Sequence, residues 1–145
     1  MAKEIIVIGA DHRGYDLKEI IKARLSITEL SIIDVGATNN KDSVDYPDYA
    51  KLVVESIESG NATKGILICG TGIGMSITAN RHKKIRAALC HNEETAELCR
   101  KHNDANVLVL GSSSLDEQTA LICVDKFLNT DFEGGRHQNR INKFS

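Results

Sequence analysis

The run Cys69-Gly70-Thr71-Gly72-Ile73-Gly74 follows the apolar stretch Ile66-Leu67-Ile68, so a thiol stands where a buried strand opens into a glycine-rich turn. Glycines at alternate positions let the backbone approach a ligand closely. A helix starting after them aims free N–H groups and the positive end of its dipole at negative charge. The same field favours the thiolate of a cysteine at the strand tip. The chemistry to expect is a base beside an anion-binding loop.

Other reactive side chains cluster at the ends of apolar runs. Asp11, His12 and Arg13 follow Ile5–Ile8, His102-Asn103-Asp104 precede Val107–Leu110, and the chain closes on Gly134-Gly135-Arg136-His137-Gln138-Asn139-Arg140. Each has a structural reading as well. Asp11 suits a helix N-cap, His102 a helix C-terminus, and the two arginines a solvated tail. Arg136 and Arg140 stand four apart, so on a helix they share a face and can grip one phosphate from two sides. His82 and His91 have charged neighbours and no partner motif, and read as surface residues.

Several chemistries are excluded or weakened by position. A cysteine-dependent phosphatase of α/β type needs an arginine six residues after its cysteine, where this chain has Met75. A dinucleotide fold places its glycine loop after the first strand with an acid about 20 residues on, whereas this loop follows the third. A receiver-domain switch needs an aspartate at the third strand's tip, where Cys69 stands. A base near an anion hole, a His/Asp pair for moving hydroxyl protons and basic residues for a phosphate remain. That set fits proton abstraction next to a sugar carbonyl.

The elements that must position these groups are legible as alternating periods. Short β-rich runs at Ile5–Ile8, Leu30–Val35, Ile66–Cys69, Arg86–Cys90 and Val107–Leu110 predict five buried parallel strands. Between them Leu17, Ile20, Ile21 and Leu25 mark one apolar helix face, and Ala50, Val53, Val54 and Ile57 another, with further helices over Ile73–His82, Glu93–Lys101 and Leu115–Leu128. Pro47 sits where a first-turn proline begins the second helix. The regular alternation predicts a three-layer αβα sandwich, Rossmann- or flavodoxin-like, on a five-stranded parallel sheet. In such a sheet ligands gather outside the carboxyl ends of the strands.

At 145 residues the chain reads as one domain, 1–145, with 132–145 a C-terminal tail. Its 18 basic and 20 acidic side chains give a net charge of −2, so no broad field draws in nucleic acid or an anionic membrane and any anion must be caught locally. No apolar run approaches a membrane span, and the reading is a soluble cytoplasmic protein. Cys90, Cys99 and Cys123 fall in apolar or helical patterns without a Cys-x-x-Cys pair, as reduced thiols used for packing do. Zinc binding is not expected.

The combination of Asp11-His12, Asp45-Tyr46-Pro47, Ile68 to Gly74, His102-Asn103-Asp104-Ala105-Asn106-Val107 and Gly134-Gly135-Arg136-His137-Gln138 resembles the ribose-5-phosphate isomerase B family. The motifs cover nearly the whole chain in the family's order and spacing. A wider group includes the two galactose-6-phosphate isomerase subunits, but Asp-His, Cys-Gly-Thr-Gly, His-Asn-Asp and Gly-Gly-Arg-His-Gln together are the pattern of the ribose enzymes.

The resemblance implies a metal-free, cofactor-free isomerisation of D-ribose 5-phosphate and D-ribulose 5-phosphate in the non-oxidative pentose phosphate pathway. By that likeness Cys69 is the base that moves a proton between C2 and C1 through an enediolate, which N–H groups of Gly70, Gly72 and Gly74 stabilise. Thr71 shuttles the proton between O1 and O2. His102, oriented by Asp11, opens the furanose ring, Tyr46 and Asn103 contact the sugar, and His12, Arg136 and Arg140 hold the phosphate. It also implies a homodimer or homotetramer with sites shared between subunits, the tail reaching to a neighbour.

Two positions depart from the family pattern. Members without the cysteine use a glutamate at the position of Met75, so this chain resembles the cysteine type. Ser113 stands where many members carry an arginine, which removes one phosphate ligand. Isomerisation of a six-carbon sugar phosphate such as allose or galactose 6-phosphate, or non-catalytic sensing of a phosphometabolite, remain the alternatives.

Overall fold

The computed structural model describes residues 4–145, so residues 1–3 of the expected domain lie outside it. Five parallel strands alternate with helices: β1 (Ile5–Ala10), α1 (Tyr15–Leu25), β2 (Ser31–Asp34), α2 (Tyr46–Glu58), β3 (Lys64–Cys69), α3 (Ile73–Ala79), β4 (Ala87–Leu89), α4 (Glu93–Lys101), β5 (Val107–Gly111), α5 (Glu117–Asn129) and α6 (Arg136–Asn142). The sheet order is β2-β1-β3-β5-β4. The first three strands follow the flavodoxin order, while β5 inserts between β3 and β4. All pairings are parallel.

The central strands are apolar on both faces because both faces are covered. Ile6, Ile8, Ile66, Ile68, Leu108 and Leu110 pack with α1, α4 and α5, whereas Val7, Leu67, Val107 and Val109 pack with α2 and α3. The result is the expected sandwich. Phe127 of α5 has no exposed surface, and truncating such a side chain to alanine costs about 3–5 kcal/mol. Lys18 is 2% exposed and survives burial through Asp34, 2.6 Å from its Nζ. Burial alone would raise the Asp34 carboxyl, but Lys18, Lys22 and the Gly36 N–H together hold it below its ordinary value.

Local signals explain the helix starts. Pro47 occupies the first turn of α2. Asn92 and Asp116 cap α4 and α5 by accepting from the N–H groups of Thr95 and Thr119. The third helix stops at Ala79, short of the predicted His82. Asn80 leaves the helix and exchanges two hydrogen bonds with the backbone of Ala87, at 2.8 and 2.9 Å, tying the end of α3 to the start of β4.

Sequence reasoning reads 132–145 as a C-terminal tail reaching to a neighbour, and within its own chain that tail forms α6, which carries Arg136 and Arg140. Gly134 and Gly135, at φ +69° and +58°, turn the backbone into that helix. His137 and Ile141 are then buried. The Glu133 N–H donates to the Lys101 carbonyl at 3.1 Å, pinning the approach to the end of α4.

Candidate active site

The topology puts the switch point between β1 and β3, whose chains leave in opposite directions across the sheet, and the loops after both strands meet there. Gly14 is the reason they meet closely. A Cβ at Gly14 would collide with the Ile68 carbonyl, so only glycine lets the start of α1 press against β3. Asp11 through Arg13 are thereby held beside Cys69, the last residue of β3.

Cys69 is 5% exposed, and its Sγ accepts the Gly72 N–H at 3.2 Å. Such a bond is stronger to a thiolate than to a thiol. Gly72 adopts φ +80° as the residue before α3, and a Cβ there would strike the Leu89 side chain. Thr71 is exposed, and its Oγ1 accepts from the Ile73 N–H at 3.3 Å. Gly74, in the first turn of α3, has no intrahelical acceptor for its N–H. The Tyr46 ring lies against Gly74, its hydroxyl 2.8 Å from where a Cβ would stand. Met75 is fully buried in the core, which leaves Cys69 as the only candidate base on this loop.

Asp11 is 5% exposed, with Oδ1 accepting from the backbone of Arg13 and Gly14 at 3.0 and 3.1 Å. It shapes the loop as the capping reading expects. Its Oδ2 makes no hydrogen bond among the described residues. His12 accepts the Val44 N–H on Nδ1 at 3.2 Å, so the neutral ring carries its proton on Nε2, a donor suited to an anion.

The remaining predicted residues stand elsewhere. His102 and Asn103 precede β5, whereas Cys69 ends β3. Because Gly65 is in register with Val107 and Cys69 with Gly111, the two groups lie at opposite edges of the sheet, separated by five residues of strand at about 3.3 Å each. Asp11 therefore does not orient His102 within one chain. The His102 ring stacks on His137, centroids 4.3 Å apart, with Nε2 3.6 Å from Glu133 Oε1. Arg136 and Arg140 of α6 belong to this same edge, both exposed.

Asp104 turns the chain there at φ +47°, an unfavourable region for a non-glycine residue. Arg100 holds Asp104 Oδ1 at 2.8 Å and Arg86 holds its carbonyl at 2.8 Å. This turn leaves Asn103 exposed next to a cavity of about 460 Å³ lined by Arg81, His82, Lys83, Arg86 and Phe144. That hollow touches neither Cys69 nor its loop. It is not by itself a place for the chemistry.

Ligand atoms of His102, Glu133 and His137 lie within 4.8 Å of one another. The near-parallel rings, 17° apart, set their nitrogens side by side rather than toward one centre, a poor fit to tetrahedral coordination. Burial and the nearby His102 and Arg136 push the His137 imidazole below its ordinary value. Cys90, Cys99 and Cys123 are free and buried. The adjacent Cys90 sulfur and burial push Cys99 up, and burial pushes Cys123 up to about 11. They are packing thiols.

Sequence reasoning leaves three contributors unassigned. Arg13 lies against Gly70, its guanidinium atoms 2.9–3.0 Å from a Cβ position there, and donates to Ser113 Oγ at 3.3 Å. Glu133 and His137 hold His102. Arg13 was visible as the residue after Asp11-His12, but nothing in its spacing told which way it would reach.

Fold and site together define an α/β protein with a thiol and a glycine loop at the carboxyl edge of its sheet and a histidine-arginine cluster at the other. The profile of the ribose/galactose isomerase family matches residues 6–144, and the chain belongs to that family. It is 57% identical over 138 residues to a putative sugar phosphate isomerase of Rickettsia bellii, covering 95% of each chain. A ribose 5-phosphate isomerase crystal structure from Thermotoga maritima superposes with TM-score 0.95 at 49% identity, over 99% of this chain and 98% of that one. Ribose-5-phosphate isomerase B of Mycoplasma genitalium, solved with bound ribulose-5-phosphate, matches with TM-score 0.93 at 42% identity, over 99% and 95%.

Proposed function

We propose that this chain interconverts D-ribose 5-phosphate and D-ribulose 5-phosphate, with Cys69 as the base. The observation that carries this reading is the Gly72 N–H donating to Cys69 Sγ, which fixes the sulfur at the mouth of a loop able to receive an oxyanion. In the open-chain aldose the thiolate removes the C2 proton, and the electron pair moves into the C1–C2 bond as charge builds on O1. Backbone N–H groups of the loop receive that charge, an effect worth about 3–4 kcal/mol per well-placed donor. Thr71 passes the proton between O2 and O1. Cys69 then returns its proton to C1, leaving the ketose at C2.

Ring opening precedes this, because the furanose has no carbonyl to acidify C2. His102 supplies the acid-base group, and it acts in the site of a second copy of this chain. Two features support a homodimer. Cys69 and His102 lie at opposite sheet edges, too far apart to share one sugar within a chain. Ile73 and Ile77 of α3, 54% and 55% exposed, form an apolar stripe beside Cys69's loop with Tyr46, which a second copy would cover. That copy would bring His102, Asn103, Arg136 and Arg140 to Asp11, His12 and Tyr46, so that phosphate and carbonyl are held at once. The four free thiols fit a reducing compartment such as the cytoplasm.

The test is to incubate the purified protein with ribose 5-phosphate in EDTA and follow ketose formation. Turnover supports the reading. No ketose would sink it, and strict metal dependence would sink the mechanism.

A further inference from the structure

Arg13 is placed like a ligand-binding cation, and no role has yet used it. Its backbone is pinned twice: its N–H donates to Asp11 Oδ1 at 3.0 Å, and its carbonyl accepts from the Ser112 hydroxyl at 2.9 Å. Its guanidinium lies over Gly70, the residue next to Cys69, with no side chain between them. The side chain's one hydrogen bond goes to Ser113 Oγ at 3.3 Å. No carboxylate lies within 4.0 Å of it among the described residues, although Asp16 and Glu117 line the outer groove that it borders. Most of its five N–H donors are therefore unused.

An unpaired, exposed guanidinium with an anchored backbone is prepared to grip an oxyanion through two parallel N–H donors. Its position beside the Cys69 loop, together with the Ser113 hydroxyl, limits which anion that is. We infer that Arg13 and Ser113 form a phosphate clamp supplied by the same chain as Cys69, facing the phosphate of the sugar substrate from the side opposite the α6 arginines. This rests on the proposed sugar-phosphate activity. The clamp fixes the substrate's far end to the chain that holds the base, so the distance from phosphate to C2 is set within one chain while the second copy contributes ring opening.

The test compares wild type with Arg13→Gln, Arg13→Lys and the double variant Arg13→Gln/Ser113→Arg. Steady-state kinetics use ribose 5-phosphate, and inorganic phosphate serves as the competing probe. Removing one charge-assisted clamp should raise KM and the phosphate inhibition constant together by about 10- to 100-fold, with kcat falling less than about threefold. Lysine should recover part of the loss. Because Ser113 lies within 3.3 Å of Arg13, an arginine grown from position 113 reaches the same space and should restore most of it.

Unchanged phosphate inhibition in Arg13→Gln would overturn the clamp, as would a fall in kcat at constant KM, which would put Arg13 on the enediolate. A lowered melting temperature without a change in phosphate inhibition would make it a structural tie and also overturn it. If wild type fails to isomerise ribose 5-phosphate, the proposed function fails instead. Calorimetric binding of inorganic phosphate to wild type and Arg13→Gln then still decides the role of Arg13.

Discussion

His102 and His137 stack with ring centroids 4.3 Å apart and planes 17° from parallel, so the imidazole assigned to ring opening is held by the C-terminal helix of its own chain. The Glu133 carboxylate flanks it at 3.6 Å. This packing joins α6 to the end of α4, so the tail positions the imidazole that the proposed mechanism uses.

Acid should loosen that joint. Burial first, then His102 and Arg136, lower the His137 imidazole from its ordinary value of 6.5, with Arg140 acting in the same direction and Glu133 opposing. A histidine depressed in the folded state is neutral there while its unfolded counterpart binds a proton, so stability falls as pH drops through 6.5 toward the folded value. The urea midpoint should fall more between pH 7.5 and 5.5 in wild type than in His137→Phe. Equal pH dependence in the two would remove His137 as the cause.

The proposed sharing of sites between chains has a quantitative signature. Cys69→Ala and His102→Ala homodimers should each be nearly inactive. In a random mixture half the dimers are heterodimers with one intact site of two, so co-expression should restore about a quarter of wild-type activity. Recovery of nothing would mean that Cys69 and His102 act from one chain.

Thiol reactivity separates the four cysteines. With Cys99 pushed up by the Cys90 sulfur and burial, and Cys123 up to about 11 by burial, iodoacetamide at pH 8 should modify Cys69 first, with ribose 5-phosphate slowing it. Mass spectrometry of the labelled peptides reads the order. Cys90, 1% exposed, is shielded whatever its ionisation. Equal labelling of all four would remove the case for Cys69 as the thiol that meets substrate.

Replacing Gly72 with alanine tests the loop itself. The residue sits at φ +80°, and its Cβ would meet Leu89, so Gly72→Ala should destabilise the fold by about 1–3 kcal/mol. It should also lower kcat at least about tenfold, because the N–H that faces Cys69 Sγ moves with the backbone. Urea denaturation and steady-state kinetics measure the two effects. Loss of stability with kcat intact would make the glycine a packing residue alone.

The strands and helices were legible in the sequence because buried parallel strands and amphipathic helices write their periods into residue order, and Cys69 to Gly74 were legible because strand, thiol and glycines are contiguous. Element ends were less so. Ala79 and Asn80 look alike to a helical period, and only the pairing of Asn80 with Ala87 ends α3 there.

Residue order by itself determined the α/β alternation, the thiol at the tip of the third strand and the family's motifs, all local or contiguous properties of the chain. Tertiary structure decided what those motifs face. Strand direction and register put His102 at the edge of the sheet opposite Cys69, Gly134 and Gly135 folded the tail back so that His137 rather than Asp11 met His102, and Gly14 let the start of α1 approach β3 so that Arg13 lies over the Cys69 loop. These relationships join residues distant in sequence through close backbone approach, and no local period carries them.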